Sequence, residues 1–282
     1  MKIAACVILY NPDKSIGGNI NSYINHVEKV YVIDNSNIST FEELFPVSGN
    51  PKITFIHDGF NGGIAMRLNL ACNMAIKDNC EYLLTMDQDS FFDKDAISDY
   101  IKCLEVYPHK SQVAMFGISY EKKAKDHDCS YKKVTHLITS GSVVNLSVYT
   151  NTGGFDENLF IDLVDTEYCL KSILKGYDII SYPNIFLNHN LGESVEKRSL
   201  ITLKKTKRSF HSDLRLYYMM RNFLYLNKKY KNQFAEQINI YKKDLITRIK
   251  NRLLYTPHKL RTLQTLFKAY KDYSNNNMGK QL

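Results

Sequence analysis

No uninterrupted apolar stretch in this 282-residue chain approaches the roughly 20 residues a bilayer-spanning helix needs. No charged-then-apolar leader precedes Lys2-Ile3-Ala4-Ala5 either, so the expectation is a chain neither secreted nor transmembrane. The six cysteines (Cys6, Cys72, Cys80, Cys103, Cys129 and Cys169) lack any CxxC spacing, which removes the thiolate-site and dithiol-motif readings. Most lie inside apolar runs, as reduced core thiols do, and this favours a reducing cytoplasm. Internal repeats and low-complexity blocks are absent. Acid is scarce at one end: residues 197–282 hold 21 Lys and Arg against 4 Asp and Glu, a net +17, whereas residues 1–196 hold 16 against 25, a net −9. The length suits one large α/β domain with a helical appendage, read here as an acidic body (1–196) and a basic helical region (197–282).

The body alternates strand and helix. Ile3 to Tyr10 is an apolar strand ending in Asn11-Pro12-Asp13, and Val30 to Ile33 is another ending in Asp34-Asn35-Ser36. A third, Ile53 to Ile56, leads through Asn61-Gly62-Gly63 to a helical pattern over 64–76. The fourth, Tyr82 to Met86, runs straight into Asp87-Gln88-Asp89. A helix from Asp95 to Tyr107 and a strand from Val113 to Ser119 follow, with Pro108 between them. Strands separated by helices imply a mostly parallel sheet covered on both faces, and such sheets collect ligands at the carboxyl ends of their strands. Asp34, Asn61, Asp87 and Asp89 all fall there, so they are expected to converge on one site. The polar stretch from Glu121 to Tyr131 reads as an insert loop, with an acceptor-side lid as one role.

Two carboxylates one residue apart at a strand tip can share a divalent cation. Hard oxygen ligands suit magnesium or manganese, which keep positions open for diphosphate oxygens. The same pair also reads as a loop whose aspartates cap the next helix. Asp165 and Glu167, in Phe160-Ile-Asp-Leu-Val-Asp-Thr-Glu-Tyr-Cys-Leu-Lys171, read either as a proton acceptor with a supporting acid or as first-turn acids complementing a helix dipole. Asn61-Gly62-Gly63 reads equally as a turn, and His189, after Ile185-Phe-Leu187, equally as a satisfied core histidine. Gly141 and Ser142 read as a backbone approach to a ligand or as a buried strand start.

Taken in order, Ile8-Leu-Tyr-Asn-Pro12, Val32-Ile-Asp-Asn-Ser36, Asn61-Gly-Gly-Ile-Ala-Met-Arg-Leu-Asn69, Asp87-Gln-Asp-Ser90, Gly154-Phe-Asp-Glu157 and Phe160 to Lys171 resemble glycosyltransferase family 2, and within it the rhamnosyltransferase-like branch. The resemblance covers roughly residues 1–192. It implies a GT-A type fold, Rossmann-like, and an inverting transfer of a sugar from a nucleoside diphosphate to an acceptor hydroxyl in bacterial O-antigen or capsule synthesis. By the resemblance Asp34 reads the donor base beside Tyr10 and Asn11. Asn61, Gly63, Arg67 and Asn69 close over the nucleoside. Asp87, Gln88 and Asp89 lie at the diphosphate, with Asp87 and Asp89 positioning magnesium or manganese and His189 a further ligand. Asp165 becomes the catalytic base and Glu167 its supporting acid. The branch favours dTDP-rhamnose, and a UDP-hexose fits every residue quoted.

The basic region mixes cations with aromatics, as in Tyr217-Tyr-Met-Met-Arg-Asn-Phe-Leu-Tyr-Leu226, and carries two helical patterns either side of Pro257. The resemblance implies acceptors linked to polyprenyl diphosphate, so the expected partner is the inner face of the cell membrane rather than nucleic acid. A helical pair packed on the body or forming a homodimer is the other reading. A nucleotidyltransferase would need a Gly-rich cationic loop near the start, and Tyr10-Asn-Pro-Asp-Lys14 is not one. A noncatalytic nucleotide-sugar or glycan-binding protein would lack the paired acids or the base, and all are present.

Overall fold

The structure is a computed structural model that describes residues 1–45, 50–93, 95–120, 128–189, 194–198, 205–209 and 211–281, with backbone alone at 189, 194–198 and 205–209. It forms two compact units, Met1–Glu157 with Val164–Asn190, and Asn158–Leu163 with Leu191–Leu282. The second unit therefore draws a short segment from the middle of the chain as well as the basic region.

In the first unit, strand β1 (Ile3–Leu9) sits between β2 (Lys29–Asp34) and β4 (Tyr82–Asp87), parallel to both, and β3 (Ile53–His57) extends the sheet beyond β2. These apolar runs are near-continuous rather than alternating because the central strands are buried on both faces. Every residue of β1 except Ile8 is buried, as is every residue of β2 after Lys29. Helices α1 (Ile16–Asn21), α2 (Phe41–Leu44) and α3 (Gly63–Lys77) connect these strands, and β5 (Ser90–Phe91) follows β4. Helix α4 (Ala96–Val106) leads to β6 (Val113–Ser119), then come β7 (Lys132–Lys133), β8 (Ser142–Asn145), helices α5 (Leu146–Thr152) and α6 (Val164–Leu174), β9 (Asp178–Phe186) and β10 (Asn188–His189). The main sheet runs β3-β2-β1-β4-β8-β6-β9-β7. Parallel pairing holds across its first four strands and between β6 and β9. Strand β8 is antiparallel to both β4 and β6. Because β8 reverses direction once on each side, β4 and β6 point the same way and their carboxyl ends share one edge.

One apolar cluster of this unit draws on most of the strands of the main sheet. Val7, Leu9, Val32, Leu84, Met86, Tyr100, Phe116 and Tyr182 pack in it with less than a twentieth of their surface exposed. At roughly 1.5–3 kcal/mol for each large side chain removed from water, this cluster fixes the strand tips in place. Asn145 caps α5 by accepting from the Ser147 and Val148 amides, and Gly153, at φ 84°, ends it in the left-handed conformation that favours glycine.

The second unit contains the hairpin of β11 (Ser194–Arg198) and β12 (Lys205–Ser209) and the helices α7 (Asp213–Tyr230), α8 (Ala235–Tyr255) and α9 (Lys259–Ser274). Phe160 stacks on Tyr218 with ring centroids 5.1 Å apart. Arg221, almost fully buried, donates to the Gly279 carbonyl at 2.7 Å and so ties the C-terminal segment to α7. Among the described residues no helix is long and apolar enough to cross a membrane.

The cysteine expectation holds for four residues and is corrected for two. Cys103 on α4 and Cys129 form a disulfide across 26 residues, while Cys6, Cys72, Cys80 and Cys169 are free and buried. Cys103 lies in an amphipathic helix, where spacing gives no hint that a residue within the polar insert returns to meet it. Alkylation of the unfolded protein without reductant is expected to label four thiols and, after reduction, all six. Closing a loop of that length stabilises by about 3 kcal/mol in the chain-entropy account, so Cys129→Ser is expected to lower Tm by several degrees. Six labelled thiols before reduction would remove the bond. Of the insert suggested as a lid, residues 121–127 lie outside the described residues.

Candidate functional site

The carboxyl edge of the sheet gathers the polar residues. At the tip of β2, Asp34 is fully buried; its Oδ1 accepts from the Ser36 amide at 2.8 Å, and its Oδ2 has no hydrogen-bond partner. A buried acceptor left so costs about 1–3 kcal/mol unless a donor reaches it. Beside it, Tyr10 stands 55% exposed at the end of β1, and Asn11, at φ 47°, donates its amide to Ser36 Oγ at 2.7 Å.

Gln88 locks the neighbouring tips together. Its Oε1 accepts from the Tyr10 amide at 2.8 Å, its Nε2 donates to the Tyr10 carbonyl at 3.3 Å, and its own carbonyl accepts from Asn19 Nδ2 at 2.8 Å. Gln88 thus holds the turn between two half-exposed carboxylates, Asp87 and Asp89. The Asp87 amide donates to Ser140 Oγ at 3.3 Å, and that hydroxyl donates to Ser90 Oγ at 2.8 Å, with both serines fully buried. Strand β10 pairs antiparallel with β5 and sets the His189 backbone opposite Ser90, next in sequence to Asp89. The imidazole itself lies outside the described side chains. Among the described residues, no three His, Cys, Asp or Glu side chains gather as a metal-holding group.

Tyr120, immediately after β6, connects this edge to α6. Its hydroxyl donates to the Ser140 carbonyl. Burial pushes that hydroxyl well above its ordinary range, and the Asp87 and Asp165 carboxylates push it further. Both acids therefore lie within electrostatic range of one hydroxyl. Asp165 Oδ1 accepts from the Thr166 amide at 2.7 Å, and Thr166 Oγ1 lies 3.2 Å from His136 Nδ1. The turn before α6 holds Asp162 and Leu163 at φ 65° and 63°, left-handed values that are uncommon for Asp and rare for Leu. Within the second unit, the fully buried Asn222 clamps this turn, donating to the Ile161 and Asp162 carbonyls at 2.7 and 3.0 Å.

Three expected site residues do other work. Glu167 is fully buried and ion-paired with Lys171 at 3.1 Å, out of reach of an acceptor, and Lys171 in turn holds the Gly154 carbonyl. Asn69 turns to the same loop, donating to the Phe155 carbonyl at 3.0 Å and Glu157 Oε1 at 2.8 Å and accepting from the Phe155 amide at 2.8 Å. A Cβ on Gly154, at φ 72°, would lie 2.8 Å from the Asn69 amide oxygen, so the Gly-Phe-Asp-Glu motif is a packing requirement. Arg67 is 2% exposed and grips Asp58 bidentately at 2.9 and 2.6 Å, while also reaching Asn35 and the Phe60 carbonyl. It shapes the loop that carries Asn61 and Gly63 instead of facing a donor. Hydrogen bonding from Arg67 lowers the Asp58 pKa to about 2, so the link is whole above the ordinary carboxylate range and is lost as pH falls toward that value. Asn61 accepts from the Gly63 amide at 3.0 Å, and Gly63, at φ 78°, opens α3 in a conformation that favours glycine. Gly141 and Ser142 form a buried strand start, with the Gly141 amide donating to the Thr85 carbonyl at 2.8 Å.

The sequence reading gave no role to Tyr120, Ser140 or His136, and took Asn222 only as part of a stretch, 217–222, resembling a family segment beside the acceptor side. Tyr120 had a signal, since it follows a strand whose tip lies at the ligand edge. Ser140 acts through a contact 50 residues away in sequence and left none, and Asn222 reaches its partners 60 residues away, which a linear reading does not reveal.

The family model described as glycosyl transferase family 2 matches residues 4–141. The dTDP-rhamnosyl transferase RfbF of Shigella flexneri is 30% identical over 254 residues, covering 81% of each chain. Among solved structures, residues 1–349 of S. aureus TarS, crystallised with UDP-GlcNAc, align with a TM-score of 0.56 at 14% identity, covering 97% of this chain and 80% of that one. A second TarS structure aligns at a TM-score of 0.54 and 14% identity, covering 98% of this chain and 49% of that one. At that identity these structures speak for the fold alone, and the fold they share has the sheet and flanking helices described above.

Proposed function

The chain belongs to glycosyl transferase family 2, and on that premise we propose that it transfers rhamnose from a dTDP donor to an acceptor hydroxyl with inversion at the anomeric carbon. The observation that supports the reading is the unpartnered, buried Asp34 oxygen at the tip of β2, on the sheet edge where β4 ends in Asp87, with Asp87 and Asp165 both in electrostatic range of the Tyr120 hydroxyl.

The chemistry follows from these positions. Asp34 Oδ2 is a buried acceptor, the complement of the ring N–H of thymine or uracil, and Tyr10 offers an exposed ring beside it. Asp87 and Asp89 are hard-oxygen donors one residue apart at the end of β4, the ligand type that magnesium and manganese take, and this chemistry supports a cation there, with His189 proposed as a further ligand. Such a cation would neutralise the departing diphosphate, which the net-negative body would otherwise repel. Asp165, half-exposed at its helix start, removes the proton of the incoming hydroxyl as it attacks the anomeric carbon. The C–O bond to the diphosphate breaks on the opposite face. One displacement with one base inverts the centre. The name of the Shigella relative supports dTDP-rhamnose, and the reading extends to an acceptor on polyprenyl diphosphate in surface polysaccharide synthesis, met at the inner face of the membrane.

A donor panel tests this. Nucleoside diphosphate release is expected to be greatest with dTDP-rhamnose, to rise with acceptor and to fall with chelator. Donor binding without release under any condition would leave a binding protein, and equal rates with chelator would remove the cation.

A further inference from the structure

Helix α9 buries Thr262 and Ala269 and turns a stripe of large apolar side chains outward. Leu260, Leu263, Phe267 and Tyr270 are 71%, 52%, 69% and 54% exposed. Their spacing of three, four and three residues puts all four on one face, opposite the buried pair. Exposed leucines scattered singly need no explanation, but four in register on one helix do. Lys259, Arg261, Lys268 and Lys271 lie on the same helix against one acid, Asp272. Arg261 is held by Asp213 and Lys268 by Asp272, whereas Lys259 and Lys271 are exposed and make no ion pair among the described residues.

We infer that this face of α9 inserts into the surface of an anionic lipid bilayer, with the flanking lysines against the headgroup phosphates. The inference rests on the reading that the acceptor is lipid-linked, and it names the surface that meets the lipid. Charge selects the occupant. A second copy would bring together two faces from regions each carrying +17, so like charges would oppose the pairing. An anionic bilayer offers the opposite sign, at about 1 kcal/mol for each Lys or Arg near the surface, together with an apolar layer for Leu260 and Phe267. Phe and Leu between lysines also make a poor face for water and a good one for a headgroup boundary.

The experiment is co-sedimentation of the full chain with vesicles of phosphatidylcholine alone or with 30% phosphatidylglycerol, at low and high salt. Binding is expected only with the anionic lipid and is expected to weaken with salt. The L260Q/F267Q double variant is expected to lose at least ten-fold in vesicle affinity, and K259Q/K271Q a smaller part. Leu174→Gln, at a half-exposed leucine on α6, is the control expected to bind like the parent. The substituted residues are solvent-facing, and an unchanged melting curve and unchanged donor binding confirm folding. Vesicle binding that survives L260Q/F267Q overturns the proposal, as does a dimer in solution that the same substitutions disperse. Transfer to a water-soluble acceptor is measured in parallel. If vesicles bind without transfer, the enzymatic reading falls and the surface stands; if transfer proceeds without vesicle binding, the reverse holds.

Discussion

Asp165→Asn is expected to lower kcat by about 10³-fold or more while leaving donor affinity within two-fold of the parent. The substitution is nearly isosteric. The oxygen that accepts from the Thr166 amide at 2.7 Å can still accept it as an amide oxygen, so the start of α6 and its strained turn are preserved. What is lost is basicity: an amide cannot take the proton from an attacking hydroxyl. The donor should notice little, because its base is assigned to Asp34 and its diphosphate to the β4 tip. Acceptor-dependent release of nucleoside diphosphate gives kcat, and calorimetric titration of the donor gives affinity. A variant that loses donor binding as much as it loses turnover would show that Asp165 belongs to the donor side, and the assignment of the base would fail.

How far the sequence carried depended on whether a residue acts through its neighbours in the chain. The strands were legible because burial on both faces forces continuous apolar runs, and each run ended in its polar tip. Asp34, Asp87 and Asp89 could be placed at or just beyond strand ends for that reason. Pairing geometry was less legible: β8 reads as one more apolar run, and nothing in Ser142-Val-Val-Asn145 announces that it enters antiparallel between β4 and β6. Glu167 shows why side-chain direction resists a linear reading. Two positions past Asp165 on a helix lies about 200° around the axis, so when one acid faces the cleft the other faces the core. There it meets Lys171, one turn on, a pairing the i,i+4 rule allows and a catalytic motif obscures. Asn69 and Arg67 follow the same logic. Long polar side chains near a glycine-rich turn suggest ligand contact, yet here they satisfy backbone groups of loops that would otherwise be unpaired.

Asp89→Ala is expected to weaken donor binding by roughly 10- to 100-fold, or about 1.4–2.7 kcal/mol, and to remove its dependence on added magnesium or manganese. The sign of this effect carries the argument. A nucleoside diphosphate sugar is an anion, and the body that receives it has a net charge of −9 over residues 1–196. Were no cation involved, deleting a carboxylate beside the diphosphate would remove repulsion and tighten binding. With a cation held by the pair, the same deletion removes the charge that makes the site attractive, and binding weakens. The Asp87 amide keeps its bond to Ser140, and Gln88 keeps its hold on Tyr10, so the turn survives the change and the comparison is one of charge and ligation. Titrating donor into parent and variant, each with cation and with chelator, separates the cases. Tighter binding by the variant in chelator than by the parent, with weaker binding in magnesium, is the pattern a shared cation requires. Tighter binding under both conditions would mean that the strand-tip acids hold no metal.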